Sequence, residues 1–213
     1  MFIGITGNSG TGQTTVAGVF EKLGARVCSL DETGHRLMER RQVRSALAKS
    51  LYRPEFEYMS GARIRRELGD SIFSKQEHLT LLESILHPMM IRWAGLCRSV
   101  LEGSPGIWVL EGALLFELGL DTLVDMVILV SDSLNRVQER LIDRDRISTD
   151  VVVARWAHQW PLSRKRDLAD IAVDNCGTLE ELTEKAERLY ISLTETKTGR
   201  LLNDQRPHPI KEP

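Results

Sequence analysis

Cysteine is scarce in this chain of 213 residues: Cys28, Cys97 and Cys176 are widely spaced, odd in number and form no Cys-x-x-Cys pair. That pattern argues against a disulfide framework and against a zinc site, and it fits a reducing compartment. Long apolar runs are missing too. None approaches the roughly 20 residues a spanning helix needs, and Met1 leads into Phe2-Ile3-Gly4-Ile5-Thr6 without a basic, then apolar leader. The expectation is a cytoplasmic protein with no membrane partner. An excess of either charge is also lacking, with 28 basic against 30 acidic residues and a net charge of -2. No global positive field exists to hold nucleic acid, so no nucleic-acid partner is expected. Repeats and low-complexity tracts are absent. What remains is an ordinary globular composition, 42% hydrophobic and 27% charged. A core of this size needs no covalent staples.

Short apolar, β-branched runs alternate with longer amphipathic ones. Phe2–Thr6, Arg26–Leu30, Ile107–Glu111, Met126–Val130 and Ile171–Val173 read as strands. They are continuous rather than alternating, as in a parallel sheet covered on both faces. The class is therefore α/β, a five-stranded parallel sheet flanked by helices. A helix should start at Gln13 and stop at Gly24, another should run from after Ser148 to before Pro161, and a capping box of Thr178 and Glu181 should open the last. The stretch 34–100 shows no convincing strand and reads as a helical insertion interrupted by turns at Tyr52–Gly61. The core then comprises 1–33 and 101–197, and the proline-bearing tail 198–213 is expected to be disordered.

The strongest local signal is Gly7-Asn8-Ser9-Gly10-Thr11-Gly12-Gln13-Thr14-Thr15. It is one residue away from the Walker A pattern, between a strand and an amphipathic helix. Glycines at 7, 10 and 12 allow a tight turn whose N–H groups face phosphates, and the helix N-terminus adds partial positive charge. Thr11, Thr14 and Thr15 complete the loop, and Thr14 is placed to ligate Mg2+. Position 13 departs from the pattern. Gln13 stands where it demands lysine; a carboxamide donates a hydrogen bond but carries no charge. Loss of one well-placed transition-state donor costs about 2.7–4 kcal/mol, or roughly 100- to 1000-fold in rate.

Asp31 closes the second strand run, where the carboxyl ends of parallel strands open into one crevice. It could orient and deprotonate an acceptor hydroxyl, or it could cap the following helix; spacing leaves both open. Glu111, at the end of the third run, is placed like a Walker B acid near Mg2+, or is an ordinary strand-end acid. Arg136, Arg140 and Arg144 recur every four residues on one helical face, with Arg146 following. They could close over phosphates as a lid, or simply pair with acids such as Asp132, Asp143 and Asp145.

Taken in order, the motifs resemble the dephospho-coenzyme A kinase family, from Phe2 to about Tyr190. They include Ile5–Gly12, Thr14–Ala17, Leu23–Ala25, Asp31, Arg65 with Leu68, Ile85-Leu86-His87-Pro88 with Arg92, and Leu114-Leu115-Phe116-Glu117. Further along come Glu139-Arg140-Leu141, Arg144-Asp145, Gln159, Lys165-Arg166, Ala169-Asp170 and Asp174-Asn175. The resemblance implies a P-loop core, a helical acceptor-binding subdomain and a lid near 140–165. It implies an ATP- and Mg2+-dependent, monomeric kinase acting on the ribose 3′-hydroxyl of dephospho-coenzyme A. In it Asp31 handles the hydroxyl proton, Gly10–Thr15 hold the ATP phosphates, and Arg140 and Arg144 reach phosphates. Arg65, His87 and Arg92 would lie on the acceptor side; without the resemblance, His87-Pro88 reads as a satisfied turn histidine. Besides Gln13, the chain departs at Ser29, at Gly112-Ala113 and at Ile64, where such proteins usually carry Asp, Val-Pro and Asp. Two further readings are a nucleotide-binding module with lapsed activity and a kinase for another nucleotide or nucleoside.

Overall fold

The computed structural model describes residues 1–72, 76–101, 104–145 and 149–195, with backbone alone for 69–72, 76 and 142–145. The tail expected to be disordered lies outside this range, as does Arg146.

Five strands form one wholly parallel sheet: β1 (Phe2–Thr6), β2 (Arg26–Ser29), β3 (Trp108–Glu111), β4 (Met126–Ser131) and β5 (Ile171–Asp174). Their order is β2-β3-β1-β4-β5. All five expected strands are present. The β1 side chains alternate between two separate cores, which explains why the whole strand is apolar. Ile3 and Ile5 pack with Val16, Phe20 and Leu182 beneath α1 (Gln13–Lys22) and α9 (Leu179–Glu195). Phe2 points the other way, toward Leu30, Leu110, Leu115 and Val127. Phe20 is fully buried and meets Tyr190 edge-on, with centroids 5.2 Å apart, which locks α1 to α9. Burying such a ring is worth about 1.5–3 kcal/mol.

Between β2 and β3 the chain is helical among the described residues. It forms α2 (Leu30–Met38), α3 (Arg41–Ser50), a 3-10 turn at Pro54–Glu57, α4 (Gly61–Ile72) and α5 (Gln76–Leu101). Leu37, Leu47, Phe56, Ile64, Leu86 and Met90 converge in the core on the Phe2 side of the sheet. Ile64 is completely buried there, so an aspartate at that position would be a buried, unpaired charge. After β4 come α6 (Leu134–Asp145), α7 (Thr149–Ala157) and α8 (Leu162–Leu168). Helices α6 and α7 share a small core of Val137, Leu141 and Val152 against Trp156. The capping box before α9 is formed: Glu181 N–H donates to Thr178 Oγ1 at 3.2 Å and Thr178 N–H to Glu181 Oε2 at 3.0 Å.

Some local expectations need correction. Strand β2 stops at Ser29, so Leu30 and Asp31 begin a helix rather than end a strand. The cap of that helix is Ser29, whose Oγ accepts from the Glu32 N–H, and not Asp31. In the sheet, β3 lies between β1 and β2. His87-Pro88 is not in a turn either, because both fall inside α5. Pro88 there deprives the carbonyl one turn earlier of its usual donor.

Candidate active site

The loop leaving β1 is held by side chains from distant parts of the chain. Thr6 Oγ1 donates to Gly112 O at 2.9 Å and ties the end of β1 to β3. Gly10 and Gly12 have φ of +86° and +106°, conformations that favour glycine. A Cβ on Gly7 would sit 2.3 Å from both Thr11 Oγ1 and Val130 O, so a larger residue does not fit. Asn175 Nδ2 donates to Thr11 O at 2.9 Å. Ser9 is gripped at both main-chain groups: its N–H donates to Gln159 Oε1 and its carbonyl accepts from Trp156 Nε1, each at 2.9 Å. With the loop so fixed, the N–H groups of Gly12, Gln13, Thr14 and Thr15 meet no protein acceptor among the described residues. Four free donors around the start of α1 fit a polyphosphate.

Gln13 is buried, and its Oε1 lies 3.0 Å from the Thr11 hydroxyl, which also lies 2.8 Å from Asn8 O. Its carboxamide therefore belongs to the internal bonding of the loop and brings no cation to it.

Beside the loop, Glu111 is 2% exposed. It accepts from Thr14 Oγ1 and from Ser29 Oγ, both at 2.9 Å. Ser29 thus has a use that its place in the sequence did not reveal: it caps α2 and holds Glu111. Burial pushes the Glu111 carboxyl above its ordinary range, and the Asp31 charge pushes it further, against the pull of the two hydroxyls. Asp31, in the first turn of α2, is also pushed up by desolvation, while His35 and Arg155 pull it down. The residue is exposed at the cavity, so solvent screens its charge. Two carboxylates, both raised chiefly by desolvation, with a hydroxyl bonded to one of them, are a donor set that fits a divalent cation.

Asp31 and the phosphate loop line the same cavity, of about 640 Å³. Arg140 and Arg155 also line it, with Leu141 and Leu182 as apolar wall. Arg140 donates to Gly10 O at 3.2 Å and pairs with Asp132 at 2.7 Å. The expected i,i+4 pair of Arg136 with Asp132 is present at 3.7 Å, but the acid partner of Arg140 is this same Asp132. Arg144 lies in α6 with its side chain outside the described residues. Arg65 lies next to Asp31's helix, donating to His35 O at 3.3 Å. His87 and Arg92 lie on α5 and do not line the cavity with Asp31. Burial holds the His87 imidazole below its usual pKa, which favours the neutral form. Sequence reasoning missed Arg155, because the helix carrying it offers no local motif that points into a cleft.

Comparison with known proteins agrees with this geometry. Residues 1–181 match the family CoaE, dephospho-CoA kinase. The chain belongs to the dephospho-CoA kinase family. Dephospho-CoA kinase activity is what the family and the full-length relatives together support. A dephospho-CoA kinase of Thermus thermophilus is 34% identical over 195 residues, covering 91% of this chain and 92% of that one. Its Aquifex aeolicus counterpart is 32% identical over 200 residues, covering 90% and 97%. A crystal structure of a Thermus thermophilus protein superposes with a TM-score of 0.67 at 32% identity over 93% of this chain and 98% of that one. A dephospho-CoA kinase from Campylobacter jejuni, 20% identical over 92% and 98%, shares the fold with a TM-score of 0.66. Among the described residues of this family member, no helix is long and apolar enough to cross a membrane.

Proposed function

We propose that this family member phosphorylates the ribose 3′-hydroxyl of dephospho-coenzyme A with ATP, and that Asp31 receives the hydroxyl proton. The observation that carries this reading is the shared cavity of Asp31 and the phosphate loop. The 3′-oxygen forms a bond to the γ-phosphorus, the bond from that phosphorus to the β,γ-bridging oxygen breaks, ADP leaves, and the proton passes to Asp31. Much of the catalysis is positioning and electrostatics, as in phosphoryl transfer generally. The free amides of Gly12–Thr15, with Gly7, Gly10 and Thr11 shaping the turn, hold the phosphates. Arg140, fastened to the carbonyl of Gly10, stands at their edge, and Arg144 is assigned to the same lid.

Thr14 and Glu111 would hold Mg2+, which supplies charge neutralisation of the phosphates. Their 2.9 Å hydrogen bond supports this, because it places a hydroxyl and a buried carboxylate at one point beside the loop. On the acceptor side, Arg65 of α4 is the best placed, because it donates to the carbonyl of His35, one turn of α2 beyond Asp31. His87 and Arg92 belong farther along the same helical region. In this reading 34–100 is the acceptor-binding part, 140–165 the lid, and the remainder of 1–197 the core. The enzyme is monomeric and cytoplasmic.

Gln13 favours a second reading, a nucleotide-binding protein whose transfer activity has lapsed. An ADP-release assay with dephospho-coenzyme A on wild type and Gln13→Lys separates the two. Turnover by wild type supports the kinase. Turnover by the Gln13→Lys protein alone identifies a lapsed one. Tight ATP binding without turnover in either overturns the proposal, and turnover only with another nucleoside or nucleotide reassigns the acceptor.

A further inference from the structure

The phosphate loop carries glycine at 7, 10 and 12. A chain with that freedom loses conformational entropy when a ligand orders it, so whatever holds the loop in shape beforehand raises its affinity. The ties differ in origin. Thr6, at the end of β1, and Asn175, just after β5, hold the loop from the sheet. The others come from α6, from α7 and from the turn after α7. A Cβ on Gly10 would lie 2.7 Å from Val137 Cγ1 and 2.8 Å from Leu141 Cδ1, so α6 rests directly on the loop. Arg140 of the same helix donates to the carbonyl of Gly10. Trp156 of α7 and Gln159 just beyond it take both main-chain groups of Ser9.

We infer that Trp156 and Gln159 are positioning residues, a latch on Ser9 that keeps the phosphate loop preformed for ATP. The inference rests on the nucleotide-binding part of the kinase reading above and deepens it. Ser9 lies in the arc between Gly7 and Gly10 and lines the cavity with the loop. Its N–H belongs to the peptide before it and its carbonyl to the peptide after it. Both are bound by the latch at 2.9 Å, so both peptide planes are fixed from outside the loop. With the carbonyls of Gly10 and Thr11 held as well, little rotation is left before Gly12. The free amides of Gly12–Thr15 are then presented in one arrangement before phosphates arrive. The latch is itself anchored at two points. The Trp156 ring packs against Val137, Leu141 and Val152, which sets the direction of its indole N–H. The peptide that follows Gln159 is held through the Trp160 N–H, which donates to Glu117 Oε1 at 2.8 Å. Neither Trp156 nor Gln159 is among the residues that line the cavity. They act through Ser9 and not on ATP.

The test uses Trp156→Phe, Gln159→Met and the two combined. The first keeps an aromatic ring in its core and loses the indole N–H; the second keeps the side-chain length and loses the acceptor. Dissociation constants are measured for the non-hydrolysable ATP analogue AMP-PNP and for inorganic tripolyphosphate, with steady-state constants for ATP and dephospho-coenzyme A. Melting temperatures confirm that each variant is folded. Each single change should weaken AMP-PNP and tripolyphosphate alike, about five- to tenfold. The KM for ATP should rise by a similar factor with kcat within about threefold of wild type, the pattern of lost binding rather than lost chemistry. Because both side chains act on one residue, the double variant should lose less than the product of the two single losses. A loss equal to the product places them at independent sites and overturns the shared latch. A merely structural role predicts lower Tm and lower kcat with both affinities unchanged, and that result overturns the inference. Weakened AMP-PNP with unchanged tripolyphosphate does so too, because the effect then lies at the nucleoside. In wild type without nucleotide, the Ser9 amide should exchange with solvent more slowly than the amides of Gly12–Thr15, resolved by NMR. Equal rates overturn the latch without recourse to any variant. Should wild type bind AMP-PNP yet fail to phosphorylate dephospho-coenzyme A, the acceptor reading fails by itself, and the affinities and exchange rates still decide on the latch.

Discussion

Replacing Asp31 by Asn separates chemistry from stability, because the two should move in opposite directions. A positioned general base contributes about 100- to 10,000-fold to a proton transfer. That factor corresponds to about 2.7–5.4 kcal/mol of transition-state stabilisation, and Asp31→Asn should lose it in kcat. AMP-PNP binding should hold or tighten, since a negative charge leaves the phosphate cavity. Stability follows from the sign of the pKa shift. Asp31 is raised in the folded state by desolvation. Its carboxylate is therefore unfavourable to folding once pH exceeds the unfolded pKa, and the penalty is complete above the folded one. Because the side chain opens to the cavity, solvent screens it, and the penalty is less than about 1 kcal/mol. Asp31→Asn should accordingly raise Tm at pH 7 by less than about 4 °C, and the gap should close as pH falls below the ordinary aspartate range. Wild-type turnover should decline as pH drops through the raised Asp31 value. The assays are coupled ADP release and thermal melts across pH. Turnover within tenfold of wild type, or a Tm that falls at pH 7, would refute the assignment.

Two further substitutions probe the scaffold. Glu117 Oε1 holds Lys165 and also accepts the N–H of Trp160 at 2.8 Å, so Glu117→Ala leaves a fully buried ammonium without its counter-charge. A loss of about 3–5 kcal/mol and about 6–20 °C in Tm is expected, with recovery in a Glu117→Met, Lys165→Met pair; a single variant as stable as wild type would contradict it. Gly12→Ala forces a Cβ to within 2.8 Å of Asn175 Nδ2 at a φ of +106°. Strain of about 1–3 kcal/mol should distort the loop, and AMP-PNP binding measured by calorimetry should weaken at least tenfold; unchanged affinity would show that the cradle does not need this geometry.

The sheet was legible because the strands centre on short apolar, largely β-branched runs, such as Ile3–Ile5 in β1 and Val127–Val130 in β4. The phosphate loop was legible because Gly7, Gly10 and Gly12 have a backbone reason for their spacing. The departures from the family pattern were visible but not interpretable. Gly112 is one: a Cβ there would lie 2.7 Å from the Leu30 side chain, so glycine at 112 goes with leucine at 30 in the close packing of β3 against α2. Ser29 is another, since its hydroxyl reaches Glu111 across 82 positions of sequence.

Hydrophobic periodicity, glycine spacing and the order of motifs determined the parallel sheet, the anion-binding turn and the family, because these depend on neighbours along the chain. The tertiary structure alone decided that β3 separates β1 from β2, that Asp31 starts a helix, and that Arg155 enters the cavity. Each of these depends on which distant segments pack together, and a charged side chain has no local signature that tells solvent from a cleft.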